Sequence, residues 1–247
     1  MLKGTFPIDK FKPLETPFYY YDMELLQKTL DTIKAETGKY GCFHVHYAVK
    51  ANANPRILSL IASNGLGADC VSGGEIQAAL DAGFPADKIV FAGVGKADWE
   101  INLGLDNEIF CFNVESLAEL RVINELAGLK GKIARIALRI NPDVDAHTHA
   151  KITTGLKENK FGINWSMLNS VLDELENLPH VRLIGIHCHI GSQITDMSAF
   201  RNLAIRINDI QDELDKRGFH IENLNMGGGL GIDYYHPNHL PIPSFDN

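Results

Sequence analysis

The 247 residues carry a formal charge of −8, with 45% hydrophobic and 22% charged residues. That length buries the core of one large α/β domain, and a pI near 5.7 argues against a nucleic-acid partner. No run reaches the roughly 18 apolar residues of a membrane span, and Met1-Leu2-Lys3-Gly4-Thr5-Phe6-Pro7 lacks a signal-peptide core, so a cytoplasmic protein with no membrane partner is expected. Cys42, Cys70, Cys111 and Cys188 each sit in an apolar run without metal-type spacing. They are expected as reduced, buried, small hydrophobes.

Residues 1–21 read as an N-terminal arm ending in an aromatic strand, Thr16-Pro17-Phe18-Tyr19-Tyr20-Tyr21. Asp22 caps a helix with Leu25, Leu26, Leu30 and Ile33 on one face. A strand–helix unit then repeats. Strands are expected over 43–49, 66–71, 89–92, 109–114, 133–140, 181–188 and 221–226. Helices follow each of the first six: Asn54-Pro55 opens one, Ser72-Gly73-Gly74-Glu75 and Ser116-x-x-Glu119 open two more as capping boxes, and others fall near 97–105, 166–177 and 197–217. A long loop is expected over 143–163. Alternating strands and helices imply a parallel sheet with both faces covered. Seven such units in 22–235 predict a (β/α)8 TIM-like barrel lacking its eighth strand. Residues 236–247 read as a tail leading to a further part, which makes the chain a portion of a longer protein; the alternative is that the 16–21 strand closes the ring.

Active sites of such barrels lie at the C-terminal strand ends. Those ends hold Lys50; Asp69 and Ser72; Gly93-Val94-Gly95-Lys96; Asn113 and Glu115; Arg139 and Asn141; His187, His189 and Ser192; and Gly227-Gly228-Gly229. An amine at the mouth of the apolar strand ending Tyr47-Ala48-Val49-Lys50 is partly desolvated, which favours the nucleophilic, neutral form that a Schiff-base lysine needs. The triple glycine after the seventh strand lets backbone N–H groups approach an anion, with Ser192 a hydroxyl donor on the neighbouring strand end. A reactive lysine and a phosphate cradle in one mouth point to pyridoxal 5′-phosphate. His44-Val45-His46 and His187-Cys188-His189 leave a zinc site as a competing reading, although His44 and His46 fall too deep in their strand, so no metal is expected. Glu75 is explained as the partner of Ser72. Asp69 and Arg139, each inside an apolar strand, need partners; a mutual ion pair is the plain structural alternative.

Taken together, Tyr47-Ala48-Val49-Lys50-Ala51-Asn52, Gly67-Ala68-Asp69-Cys70-Val71-Ser72-Gly73-Gly74-Glu75 and His187-Cys188-His189-Ile190-Gly191-Ser192-Gln193 resemble the fold-type III pyridoxal-phosphate decarboxylases, whose barrel is of the alanine racemase type. Gly155-Leu156-Lys157-Glu158-Asn159-Lys160-Phe161-Gly162 and Gly227-Gly228-Gly229-Leu230-Gly231 narrow the resemblance to the branch that converts meso-2,6-diaminoheptanedioate (meso-diaminopimelate) to L-lysine and CO2, the last step of lysine biosynthesis. The resemblance implies that Lys50 holds the cofactor as a Schiff base and His189 stacks on its ring. Ser192, Gly227, Gly228 and Gly229 would take its phosphate, Asp69 would help hold His189, and Arg139 would lie near the ring hydroxyl. It also implies a homodimer. The family's acidic partner of the pyridine nitrogen, its substrate-binding arginine and its C-terminal β-domain have no match in this sequence, so these 247 residues alone are expected to be inactive. Two other readings stay open: a pyridoxal-phosphate-binding barrel without catalysis, and a sister decarboxylase of arginine, ornithine or carboxynorspermidine.

Overall fold

The computed structural model describes residues 6–142, 161–236, 239 and 245. Residues 143–160 of the loop expected over 143–163, which include 155–160 of the glycine–lysine motif, lie outside that set. The chain divides into two compact units, one of residues 1–44 and 232–247, the other of residues 45–231.

In the first unit, a short helix α1 (Ile8–Phe11) precedes α2 (Met23–Thr37). Asp22 caps α2 by accepting the Leu25 N–H at 3.0 Å. Leu30 is its one buried residue. The aromatic stretch 16–21, expected as a strand, forms none. Its side chains instead meet other rings: Phe18 and Tyr20 each contact Phe11, and Tyr20 also contacts Phe6. Aromatic content favours strands only where a sheet offers a pleated neighbour, and here ring clusters take that place.

The second unit is the repeat. Its strands are β1 (His46–Ala48), β2 (Gly67–Cys70), β3 (Ile89–Phe91), β4 (Cys111–Val114), β5 (Ala134–Asn141), β6 (Ile163–Asn164), β7 (Val181–His187) and β8 (Asn223–Asn225). Between them run α3 (Pro55–Ser63), α4 (Gly73–Asp81), α5 (Asp98–Asp106), α6 (Leu117–Leu129), α7 (Leu168–Leu175) and α8 (Ser198–Lys216). All pairings are parallel, in the order β1-β2-β3-β4-β5-β7-β8, with the two-residue β6 on the end of β5. The expected seven-unit barrel sheet is therefore present. Among the described residues no pairing joins β8 to β1, so the sheet is curled and open.

Register fixes which side chains share a face, because in-register neighbours on parallel strands point the same way and residues two apart along a strand do too. Ala48, Asp69, Val90 and Cys111 are in line across β1–β4. Asn113 pairs with Ala137, and Arg139 with His187 and then Asn225. These belong to one face. The opposite set, including Ala68, Cys70, Phe91, Phe112, Leu138 and Ile186, is almost wholly buried. Phe112 lies against α5: a Cβ on Gly104 would come within 2.8 Å of its ring. So the helix-facing side is apolar and the inner side carries the polar groups, as a filled barrel requires. Three of the cysteines are buried as expected; Cys42 is exposed, because the chain before β1 is loop rather than strand.

Helix starts follow the capping chemistry with one refinement. Asn54 accepts the Arg56 N–H, and Ser72 and Ser116 accept those of Glu75 and Glu119. A standard box would return each glutamate to the N–H of its own serine. Here Glu75 reaches the N–H of Val71 at 2.8 Å and Glu119 that of Glu115 at 2.8 Å. Each carboxylate thus ties down the residue before the cap, which is the strand's exit into the rim.

Candidate active site

Lys50 stands in a single helical turn, Val49–Ala51, just beyond β1. Its residue is exposed on the rim. A desolvated strand mouth is expected for this amine from the sequence; the strand ends two residues earlier, and the turn leaves Lys50 exposed. Its charge still reaches the site. Burial pushes the carboxyl of Asp69 up to about 6, against the opposing pull of the Lys50 ammonium. Asp69 is half-buried and its Oδ1 has no hydrogen-bond partner among the described residues.

Arg139 does not pair with Asp69. Its Nη1 donates to Glu115 Oε1 at 2.6 Å, and its guanidinium lies over the Phe161 ring at 5.3 Å. The ion-pair alternative for Asp69 and Arg139 is thereby corrected: β3 and β4 separate their strands, and the end of β4 supplies the nearer carboxylate. Gly162 sits close on the Arg139 backbone, where a Cβ would be 3.0 Å from its carbonyl oxygen. Glu115 is the residue that sequence reasoning left without a role. The signal was available, since a carboxylate at a strand end beside a strand bearing an unpaired arginine is a partner in waiting.

His187 is fully buried among the apolar strands; burial first, then the nearby Arg139, drives its pKa well below the usual histidine value. Its Nδ1 is unpartnered among the described residues. His189, two residues on and half-buried, is lowered to about 4, again by burial first and by Arg139 and Lys50 next. Its Nδ1 accepts the Gly228 N–H at 3.4 Å, which assigns the proton of the neutral ring to Nε2. Asp69 makes no hydrogen bond to His189 among the described residues, so the implied support is replaced by the glycine turn.

That turn is built on two glycines with left-handed backbone. At Gly227 (φ +71) a Cβ would meet Cys188 O and His189 Nδ1, both at 2.7 Å, and at Gly229 (φ +104) it would meet Gly191 O at 2.1 Å. Ile194 N donates to Gly229 O and Gly231 N to Ile194 O, each at 2.8 Å. The turn is thus laced to residues 191–194, which bring the exposed Ser192 alongside. Backbone N–H groups beside a hydroxyl, with no side chain in the way, suit a phosphate. The orphaned Asp69 oxygen and the flat His189 ring suit a pyridine ring bearing polar substituents. The residues present therefore fit pyridoxal phosphate. Among the described residues no group of three or more His, Cys, Asp or Glu side chains could hold a metal ion, and no helix is long and apolar enough to cross a membrane.

A curled parallel sheet carrying Lys50, His189 and the 227–229 glycine turn at its C-terminal strand ends suits the class of pyridoxal-phosphate-binding barrels. Residues 26–242 match the family described as pyridoxal-dependent decarboxylase, pyridoxal binding domain, and the chain belongs to that family. Within it, the chain is 62% identical over 244 residues to diaminopimelate decarboxylase of Bacteroides thetaiotaomicron, covering 99% of this chain and 63% of that one. It is 44% identical to the Aquifex aeolicus diaminopimelate decarboxylase, over 92% of this chain and 54% of the relative. Among solved structures, the diaminopimelate decarboxylase of Methanocaldococcus jannaschii aligns with a TM-score of 0.89 at 40% identity, over 97% of this chain and 56% of that one. That of Helicobacter pylori, in complex with L-lysine, aligns with a TM-score of 0.87 at 39% identity, over 92% and 58%. The chain thus spans somewhat more than half the length of these relatives.

Proposed function

We infer that this chain is the cofactor-binding barrel part, residues 22–235, of an enzyme that decarboxylates meso-2,6-diaminoheptanedioate to L-lysine, in the cytoplasm and as a homodimer. The observation that carries the reading is the gathering of Lys50, Asp69, Arg139, His189 and the 227–229 turn on one rim, in a chain 62% identical to a diaminopimelate decarboxylase. Pyridoxal phosphate, when bound, supplies an electron sink for the bond broken as CO2 leaves.

Each side chain then has a task that its surroundings suit. Lys50, exposed on the rim, is the amine that would hold the cofactor. His189 presents a neutral ring, kept so by burial and by the charges of Arg139 and Lys50, and its Nε2–H remains a donor. A flat, uncharged ring can lie on an electron-poor pyridine without opposing its positive charge. Gly227, Gly228, Gly229 and Ser192 would hold the phosphate. Arg139, aimed by Glu115, would supply a fixed positive charge toward an oxygen substituent of the ring. Asp69 can hold or release a proton near neutrality, since burial has lifted it to about 6.

The test is CO2 release from meso-diaminopimelate by the full-length natural protein, with the visible band of bound cofactor followed in parallel. Both should vanish in Lys50→Ala. Cofactor binding without CO2 release would favour the non-catalytic binding protein instead; release from arginine or ornithine in preference would move the substrate assignment to a sister enzyme.

A further inference from the structure

We propose that Glu115 is the positioning residue of this site, holding Arg139 in place for the cofactor, and that Lys96 and Glu119 form the anchor that fixes Glu115. The inference rests on the cofactor reading above. Glu115 is 5% exposed. Its Oε1 accepts from Arg139 Nη1 at 2.6 Å and from the Gly93 N–H at 3.2 Å. Its Oε2 is buried with no partner among the described residues. A buried carboxylate with one oxygen doubly used and the other unused is costly unless something holds it there.

The holder is visible. The Lys96 side chain is 1% exposed, and its Nζ donates to Gly93 O at 2.8 Å, Asn113 O at 2.8 Å and Glu119 Oε1 at 2.6 Å. Three acceptors use all three ammonium protons, which leaves Lys96 no capacity for a ligand. The other Glu119 oxygen takes the Glu115 N–H at 2.8 Å. A closed ring results: Lys96 to Glu119, Glu119 to the Glu115 backbone, the Glu115 carboxylate to Gly93, and Gly93 back to Lys96. It joins the exits of β3 and β4 to the first turn of α6. Two buried cations, Lys96 and Arg139, balance two buried anions, Glu115 and Glu119. Arg139 lies on the inner face at the rim, and among the described residues its side chain is joined to the ring through Glu115. The ring therefore reads as a bracket whose free arm is Arg139.

The test is a double-mutant cycle on cofactor affinity in the full-length natural protein, read from the visible band as pyridoxal phosphate is titrated in. Glu115→Gln keeps the shape and removes the charge. It should weaken cofactor binding about tenfold, the size of one lost charge-assisted bond. In an Arg139→Gln background the same change should cost less than about twofold, because Glu115 acts through Arg139. Equal losses in both backgrounds, or no loss in either, would overturn the proposal. If Glu115→Gln does not fold, the neutral pair Lys96→Met with Glu119→Gln is put through the same cycle, with the same dependence on Arg139 expected. A wild-type protein that shows no band with added cofactor overturns the proposed function itself, whereas a wild-type band lost in Lys50→Ala but unmoved by Glu115→Gln overturns the bracket alone.

Discussion

Asp69 and His189 titrate in opposite senses in the same pH range. Asp69 ionises near 4 when unfolded and near 6 when folded. Between those values the folded state holds a proton that the unfolded state has lost, so Asp69 makes stability fall as pH rises. His189 is protonated below 6.5 when unfolded but only below about 4 when folded. Over that interval the unfolded state binds more protons, so His189 makes stability rise with pH, and His187 acts in the same direction. For the cofactor-free protein the contributions oppose one another. Asp69→Asn should steepen the rise in urea-melt stability between pH 4 and 6.5, and His189→Asn should flatten or invert it. Parallel pH profiles for wild type and both variants would show that burial does not set these groups. The identities of these residues were readable from strand-end positions in the sequence. The pairing of Arg139 with Glu115 was open to inference, since their strands are consecutive, but the register that brings the two together is not displayed by the sequence. The exposure of Lys50 was hidden too, since a helical turn of Val49-Lys50-Ala51 and a longer strand have the same composition.

Helix starts and the glycine turn carry the element-scale argument. Ser116 caps α6 directly above Glu115. Ser116→Ala should cost about 1 kcal/mol of stability, seen as a lower urea midpoint with unchanged slope. In the 227–229 turn the three glycines are not equivalent. Gly229→Ala puts a Cβ 2.1 Å from Gly191 O at φ +104 and should cost about 2 kcal/mol or more along with cofactor affinity. Gly228 has open space around its missing Cβ, so Gly228→Ala should fold normally. Equal stability of the two variants would mean that the turn is not pinned to residues 191–194. The capping serines and the Asn54-Pro55 start were legible because caps are local chemistry. The 16–21 stretch misled for the opposite reason: its strand signal depends on a sheet neighbour, and its rings contact Phe11 and Phe6 instead while staying exposed.

For the molecule as a whole, the repeat of strand and helix was legible because both periodicities are written along the chain, and parallel order follows from the alternation. The inner polar face emerges only when the strands are set in register. It explains how an apolar barrel can carry Asp69, Asn113, Glu115, Arg139 and His187 together: the helices cover one side of the sheet, and the polar groups occupy the other. The central claim is that one amine on that face's rim, Lys50, holds the cofactor, while the other rim lysine, Lys96, is fully engaged in structure. The direct measurement is borohydride reduction of the full-length natural protein loaded with pyridoxal phosphate, followed by peptide mapping by mass spectrometry. The label should be found on Lys50. A label on Lys96 or another lysine, or none after reduction of a protein that shows the visible band, would contradict the account.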